Sequence, residues 1–286
     1  MTRLLLCTDL DRTLIANGAQ HESLGALALF RQLVGRKDVT LAYVSGRHRA
    51  LIEQAVGQFN LPAPDFVIAD VGSTLYHVAP AAWLQDEVWC AHIASDWQGL
   101  LHADLCRLLA DVPALQLQPA QQQNRHKLSY FAALAEDAPS LMRAVQARLQ
   151  QAHIRANLIW SVDEPAGVGL LDVLPASANK LHAIRYLMAQ QGFQNDHTLF
   201  AGDSGNDLDV LLSGLPAVLV ANADAQVKSR VTNANSAAAG HLYLAQGGYL
   251  GMNGNYSAGI LEGVAHHHPA LDAWLRAQQL KLSGED

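Results

Sequence analysis

The sequence predicts an α/β protein: a doubly wound, mostly parallel sheet with an α+β unit inserted in its middle. Three observations lead there. Short, wholly apolar runs alternate with helical spacing at the start of the chain, the rhythm breaks after about Tyr76, and it resumes from Asn179. Leu4 to Thr8 is an unbroken apolar run, as suits a strand covered on both faces. Helical spacing follows from Glu22 to Val34, then a second buried strand from Val39 to Val44, a helix from Arg47 to Phe59, and a third strand from Asp65 to Ala69 after Pro62 and Pro64. Strands and helices alternating in this way imply right-handed parallel crossovers.

In the middle, helices are expected near Ile93 to Ala110 and Pro139 to Gln151. Strand-like segments surround them at Leu115 to Leu117, Lys127 to Phe131, Ile154 to Trp160 and Gly169 to Leu174. That mixture reads as a mostly antiparallel insert. Beyond it come a helix to Gln191, a strand from Thr198 to Ala201, a helix from Asn206 and a strand from Ala217 to Val220. Residues 1–79 and 176–286 are therefore expected to form one domain, with 80–175 inserted as a second.

Composition narrows the class. The chain has 286 residues, half of them hydrophobic and 16% charged, so it can bury a large core. Nineteen basic residues against 26 acidic ones give a net charge of −7, which argues against a nucleic-acid partner. No apolar run reaches the length of a membrane span, and the stretch Leu4 to Cys7 is too short for a signal peptide. Cys7, Cys90 and Cys106 are an odd count without CxxC spacing, as expected in a reducing compartment. The expectation is a cytoplasmic monomer.

Chemistry concentrates at the ends of the predicted strands. Asp9 and Asp11 follow the first strand; side chains two apart on extended chain project together, at the end of a parallel sheet that borders the ligand crevice. Two adjacent carboxylates repel unless a cation joins them, and hard oxygen ligands suit Mg²⁺. A pair of surface carboxylates in a turn would show the same spacing. Asp203, Asn206 and Asp207 lie in Gly202-Asp203-Ser204-Gly205-Asn206-Asp207 after another apolar strand, where an N-capping turn would also fit. Together the two acidic groups supply carboxylates from separate strand ends, as a single metal site needs. Ser45-Gly46-Arg47 follows the second strand; a hydroxyl and free amides opening a helix would hold an anion, and a simple cap serine explains it equally well. Lys180 opens a helix, where a cation opposes the helix dipole; it is either solvated or facing an anion.

Asp9-x-Asp11-x-Thr13, Ser45-Gly46-Arg47, Lys180 and Gly202-Asp203-x-x-Asn206-Asp207 resemble the four ordered motifs of the haloacid dehalogenase superfamily of aspartyl phosphotransferases. The long insert resembles its capped subclass acting on sugar phosphates. Asp70 to His77, Lys127 to Tyr130, Asp172 to Pro175 and Ala258 to Glu262 look like sucrose-phosphate phosphatases, over nearly the whole chain. Residues 161–169 form a longer segment than that family usually has.

The resemblance implies a Rossmann-like core in which Asp9 attacks phosphorus to form an aspartyl-phosphate, while Asp11 protonates the leaving sugar and then activates water. Mg²⁺ would be held by Asp9, Asp203 and the backbone carbonyl of Asp11, with Asp207 supporting the metal or Lys180. Thr13, Ser45, Gly46, Arg47, Lys180 and Asn206 would bind the phosphoryl group, and Lys127, Ser129 and Tyr130 the sugar. It implies sucrose 6-phosphate as substrate, or else a glucosylglycerol, mannosylglycerate or trehalose phosphate, and a sucrose-phosphate synthase as partner. A phosphomutase would keep Asp9 and Asp11 as well; a non-catalytic sensor could have lost them, and a dehalogenase needs no metal site. Core packing is expected for most of Trp83, Trp89, Trp97 and Trp160 rather than stacking on sugar rings. At most adventitious metal affinity is expected for His266-His267-His268, and Cys7 is expected to be inert.

Overall fold

The computed structural model describes residues 3–163, 166–233 and 240–283. The chain starts with β1 (Leu4–Thr8), α1 (Ala26–Val34), β2 (Val39–Val44), α2 (Arg49–Gln58), β3 (Phe66–Ala69), β4 (Thr74–Ala79) and β5 (Ala82–Gln85). The middle contains α3 (Glu87–Ala94), α4 (His102–Leu108), β6 (Gln116–Leu117), β7 (Leu128–Ala133), α5 (Ala138–Gln151), β8 (Ala156–Asp163) and β9 (Val168–Pro175). The remainder is α6 (Lys180–Gln191), β10 (Thr198–Gly202), α7 (Leu208–Leu211), β11 (Ala217–Leu219), α8 (Ala225–Asn233), β12 (Leu242–Leu244), α9 (Ser257–His267) and α10 (Pro269–Ser283).

These strands form an eight-stranded sheet in the order β12-β11-β10-β1-β2-β3-β4-β5 and a four-stranded sheet in the order β6-β7-β9-β8. The large sheet is parallel from β12 to β3, and the small one is antiparallel throughout. β1 lies near its centre and every residue of it is buried, which is why its sequence is apolar without alternation. Its two faces serve different layers. Leu4 and Leu6 pack in one cluster with Leu29, Phe30 and Leu33 of α1 and Ile260, Leu261 and Val264 of α9. Leu5 and Cys7 pack in another with Ala183, Ile184 and Leu187 of α6. Each fully buried Leu or Phe of this kind contributes roughly 1.5–3 kcal/mol. The small sheet has its own core, with Leu128 and Tyr130 of β7 and Leu171 and Val173 of β9 packed against Leu141, Val145 and Leu149 of α5.

Several expected boundaries move. The large sheet does not stop at residue 79: β5 pairs with β4 in antiparallel register, Val78 opposite Trp83, so the edge strand lies inside the stretch assigned to the insert. The single helix expected near Ile93 to Ala110 is two, because after a 3-10 turn at Ser95–Trp97 the backbone turns left-handed at Gln98 (φ 52°) and Gly99 (φ 83°). The break seats Trp97 in the core of the insert and leaves the Asp96 carboxylate accepting from the Ser177 N–H at 2.7 Å. α1 begins at Ala26, after Gly25 at φ 79°, rather than at Glu22. The longer segment at 161–169 completes a hairpin in which Asp163 pairs with Val168; its Glu164 and Pro165 lie outside the described residues. Among the described residues no helix is long and apolar enough to cross a membrane.

Candidate active site

Parallel pairing of β1 with β10, Thr8 opposite Ala201, brings the residues after both strands side by side. The Asp9 N–H donates to the Ala201 carbonyl at 2.9 Å, fixing the first acidic residue against the second strand end. Asp9 is buried; its Oδ1 accepts the Leu10 N–H at 2.8 Å and its Oδ2 lies 3.2 Å from Lys180 Nζ. Asp203 is buried beside it. Its Oδ1 accepts from Thr13 Oγ1 at 3.1 Å, but its Oδ2 has no hydrogen-bond partner, with Arg12 Nε at 3.5 Å.

Asp207 is enclosed completely. Its Oδ1 takes Lys180 Nζ at 2.7 Å, and its Oδ2 accepts the N–H groups of Asp203 and Ser204, both at 3.1 Å. Gly202 is required here, since a Cβ would lie 2.7 Å from the Asp207 carboxyl carbon. Asp207 was expected to support the metal or Lys180: its Oδ1 takes Lys180, its Oδ2 holds the turn that shapes the loop, and its carboxylate lies beside those of Asp9 and Asp203. Lys180 also donates to Asn206 Oδ1 at 3.2 Å, so this buried ammonium faces three side-chain oxygens, with the Asn179 side chain capping its helix.

Oxygens of Asp9, Asp203 and Asp207 lie within 4.8 Å of one another. Burial pushes the Asp9 carboxyl up to about 8; Lys180 opposes the rise, and Asp207 and Asp203 reinforce it. Burial and the Asp207 charge push Asp203 up to about 7. Burial disfavours the Lys180 ammonium, yet Asp207 and Asp9 outweigh it and raise its pKa above the ordinary value. Three enclosed carboxylates against one enclosed ammonium, with one carboxylate oxygen unpartnered, form a hard-oxygen site short of positive charge, and Mg²⁺ fits it.

The Asp11 side chain lies outside that cluster. Arg47 grips it through two hydrogen bonds, Nε to Oδ2 at 2.7 Å and Nη2 to Oδ1 at 2.6 Å, and Asn17 Nδ2 adds a third at 2.7 Å. Burial would raise its pKa, but these donors hold it below the usual carboxylate value. Arg47, expected to bind the phosphoryl group, pairs here with Asp11. Ser45 is buried and its hydroxyl accepts the Arg47 N–H at 3.2 Å; α2 starts four residues after it, so Ser45, Gly46 and Arg47 form a turn ahead of the helix.

Above the core, Lys127 is buried, with Nζ 3.7 Å from Asp172 Oδ2 and 4.0 Å from Asp70 Oδ1. It therefore joins the small sheet to the end of β3. Ser129 donates to Asp172 Oδ1 at 2.5 Å, its cross-strand neighbour. Asn124 Nδ2 reaches Ser73 Oγ at 3.2 Å and Thr74 Oγ1 at 3.3 Å, a second bond between the layers. Tyr130 does not join this polar group: its ring packs in the core of the small sheet, because alternation along β7 sends it to the face opposite Ser129. Asp70 and Asp172 were not singled out as site residues. The signal for Asp70 was its place directly after a buried strand, the position that had marked Asp9 and Asp203.

Trp89 and Trp97 are fully buried, Trp83 packs against the large core, and Trp160 lies over Gly169. His266 stacks on Tyr243 and meets the His267 ring edge to face, while His267 Nε2 contacts the Ala217 carbonyl. Burial raises the pKa of the Cys7 thiol strongly, which leaves it inert.

Comparison with known proteins places the chain in a family and a fold. The family model described as sucrose-6F-phosphate phosphohydrolase matches residues 2–268. A HAD-like hydrolase of Nitrosococcus oceani is 49% identical over 99% of this chain and 77% of its own length. A protein of Arabidopsis thaliana described as a probable sucrose-phosphatase is 29% identical over 77% of this chain and 51% of its own. The solved sucrose-phosphatase of Synechocystis, in complex with sucrose and phosphate, superposes with a TM-score of 0.73 at 28% identity, covering 93% of this chain and 98% of that one.

Proposed function

The chain belongs to the sucrose-6F-phosphate phosphohydrolase family of phosphoric monoester hydrolases, and on that premise we propose that it hydrolyses sucrose 6-phosphate to sucrose and phosphate in a Mg²⁺-dependent reaction at Asp9. The observation that carries this reading is the convergence of Asp9, Asp203 and Lys180 at the joined ends of β1 and β10.

In the first step an Asp9 carboxylate oxygen forms a bond to phosphorus as the bond to the sugar oxygen breaks, and Asp11 gives that oxygen its proton. In the second, Asp11 takes a proton from water as the water oxygen displaces Asp9 from the aspartyl-phosphate, releasing inorganic phosphate. Lys180, Ser45, Asn206 and the amides around Gly46 would hold the phosphoryl oxygens, and Thr13 would keep Asp203 in place through its hydrogen bond. Asp9, Asp203 and the Asp11 carbonyl would hold Mg²⁺, which when bound offsets the repulsion between carboxylate and phosphate. Asp11 must leave the Arg47 grip to move protons, and arrival of an anionic substrate near Arg47 supplies a competing partner.

Lys127, Ser129 and Asp172 favour a hydroxylated substrate, since each offers a charged or polar group in an otherwise buried setting. The test is phosphate release, with and without EDTA, from sucrose 6-phosphate and from glucosylglycerol, mannosylglycerate and trehalose phosphates. The expected result is the highest kcat/KM for sucrose 6-phosphate and loss of turnover on chelation. A higher rank for any other substrate rejects the sucrose assignment, and undiminished turnover in EDTA rejects the metal.

A further inference from the structure

Arg12 occupies an unusual place for a long charged residue. Its φ of 59° lies in the left-handed region favoured by glycine and asparagine, directly between the acidic residue Asp11 and Thr13. The backbone is tied on both sides: its N–H donates to Asn17 Oδ1 at 2.8 Å, and its carbonyl accepts from Asn222 Nδ2 at 2.5 Å. The guanidinium is anchored too, with Nη2 donating to Asp224 Oδ1 at 2.8 Å. That anchor leaves Arg12 Nε 3.5 Å from Asp203 Oδ2, and neither of these two enclosed atoms has a hydrogen-bond partner.

We propose that Arg12 is the resident counter-charge of Asp203 and sets how tightly the acidic cluster holds a divalent cation. A guanidinium stays charged at every accessible pH, so its effect is not relieved by proton loss. Asp224 restrains it short of a closed ion pair with Asp203, so Oδ2 stays available while a fixed positive charge stands beside it. A divalent ion drawn to Asp9 and Asp203 meets that charge at close range. Binding is thereby weaker than the carboxylates alone would give, and exchange of the ion easier. This inference rests on the reading that Asp9 and Asp203 hold a divalent ion.

The test is a Mg²⁺ titration by calorimetry, paired with displacement of Mn²⁺ followed by electron paramagnetic resonance. It compares the full chain with Arg12→Gln, Arg12→Lys and Asp203→Asn. Arg12→Gln is expected to bind Mg²⁺ roughly five- to ten-fold more tightly at low salt, by the size of a unit charge acting on a divalent ion across solvated protein. The gain should shrink as ionic strength rises. Arg12→Lys, which keeps the charge, should stay near the unsubstituted protein. Arg12→Asn, suited to the positive φ, is a second uncharged variant should the glutamine form fold poorly. Equal or weaker binding in both uncharged variants overturns the proposal, as does tightening in the lysine variant. Absence of binding in the unsubstituted protein, or binding unaltered by Asp203→Asn, instead overturns the metal assignment.

Discussion

Arg47 holds both carboxylate oxygens of Asp11, at 2.7 and 2.6 Å, while the Asp9 carboxylate two residues earlier faces Lys180. Neighbouring acids on one short loop thus have opposite environments, one ionised by a planar cationic fork and the other pushed toward neutrality by burial.

Removing the fork should therefore act on proton transfer. In Arg47→Ala the Asp11 pKa rises, so the alkaline limb of the kcat/KM profile, set by the proton Asp11 gives the leaving sugar, is expected at higher pH than in the unsubstituted enzyme. Arg47→Lys, with a charge but no fork, should fall between. An alkaline limb that does not move under either substitution contradicts the pairing.

Asp9→Asn should abolish phosphate release, by about a thousand-fold or more, because no covalent intermediate can form. Far-UV circular dichroism should show the fold retained. Turnover within ten-fold of the unsubstituted enzyme would defeat the nucleophile assignment.

The acidic cluster also predicts how stability depends on pH. Asp9 and Asp203 have folded-state pKa values pushed up to about 8 and about 7, against 3.8 for the ordinary carboxyl. A carboxyl with a raised folded pKa binds its proton more tightly when folded, so stability is full below about pH 4 for these groups and falls as pH rises toward 8. Metal-free protein should melt at progressively lower temperature across that window, and Mg²⁺ should restore most of the loss. A flat melting profile in EDTA would contradict the arrangement.

Lys127 and Tyr130 separate the two faces of β7. Lys127→Ala is expected to lower kcat/KM roughly ten- to hundred-fold through the lost buried charge contacts. Tyr130→Phe should leave kcat/KM within about two-fold. Steady-state kinetics on both variants decides whether the polar face alone touches substrate.

Gly72 tests how the core is held beneath the insert. Its φ is 99°, and an added Cβ would lie within 2.4 Å of the Asn179 carbonyl carbon, immediately before Lys180. Gly72→Ala should cost about 2–4 kcal/mol in chemical denaturation, from backbone strain and overpacking together.

Much of the site could be read from sequence because each motif follows an apolar run, and parallel pairing makes strand ends neighbours. Asp9 and Asp203 were placed that way, and Lys180 by the resemblance of its motif. For Asp207 spacing shows only that a carboxylate is near, while coordinates show that it takes Lys180 and two backbone amides. The Asp11–Arg47 pairing spans 36 positions and leaves no local pattern. The split between α3 and α4 was hidden because Trp97 and Leu105 keep a helical apolar spacing through a break made by Gln98 and Gly99. Strand β5 escaped because most of it is exposed at the sheet edge, without the apolar run that marks the central strands.

The pairing of β1 with β10 has a consequence for biosynthesis. Asp9 is made before the insert, whereas the partner strand and Asp203 arrive only after the entire insert has been made. A nascent chain therefore carries Asp9 through synthesis of the whole insert before Asp203 and Asp207 can join it. Assembly of the acidic cluster thus waits on the second half of the core, and a chain cut short before residue 203 would lack it however well its first half had folded.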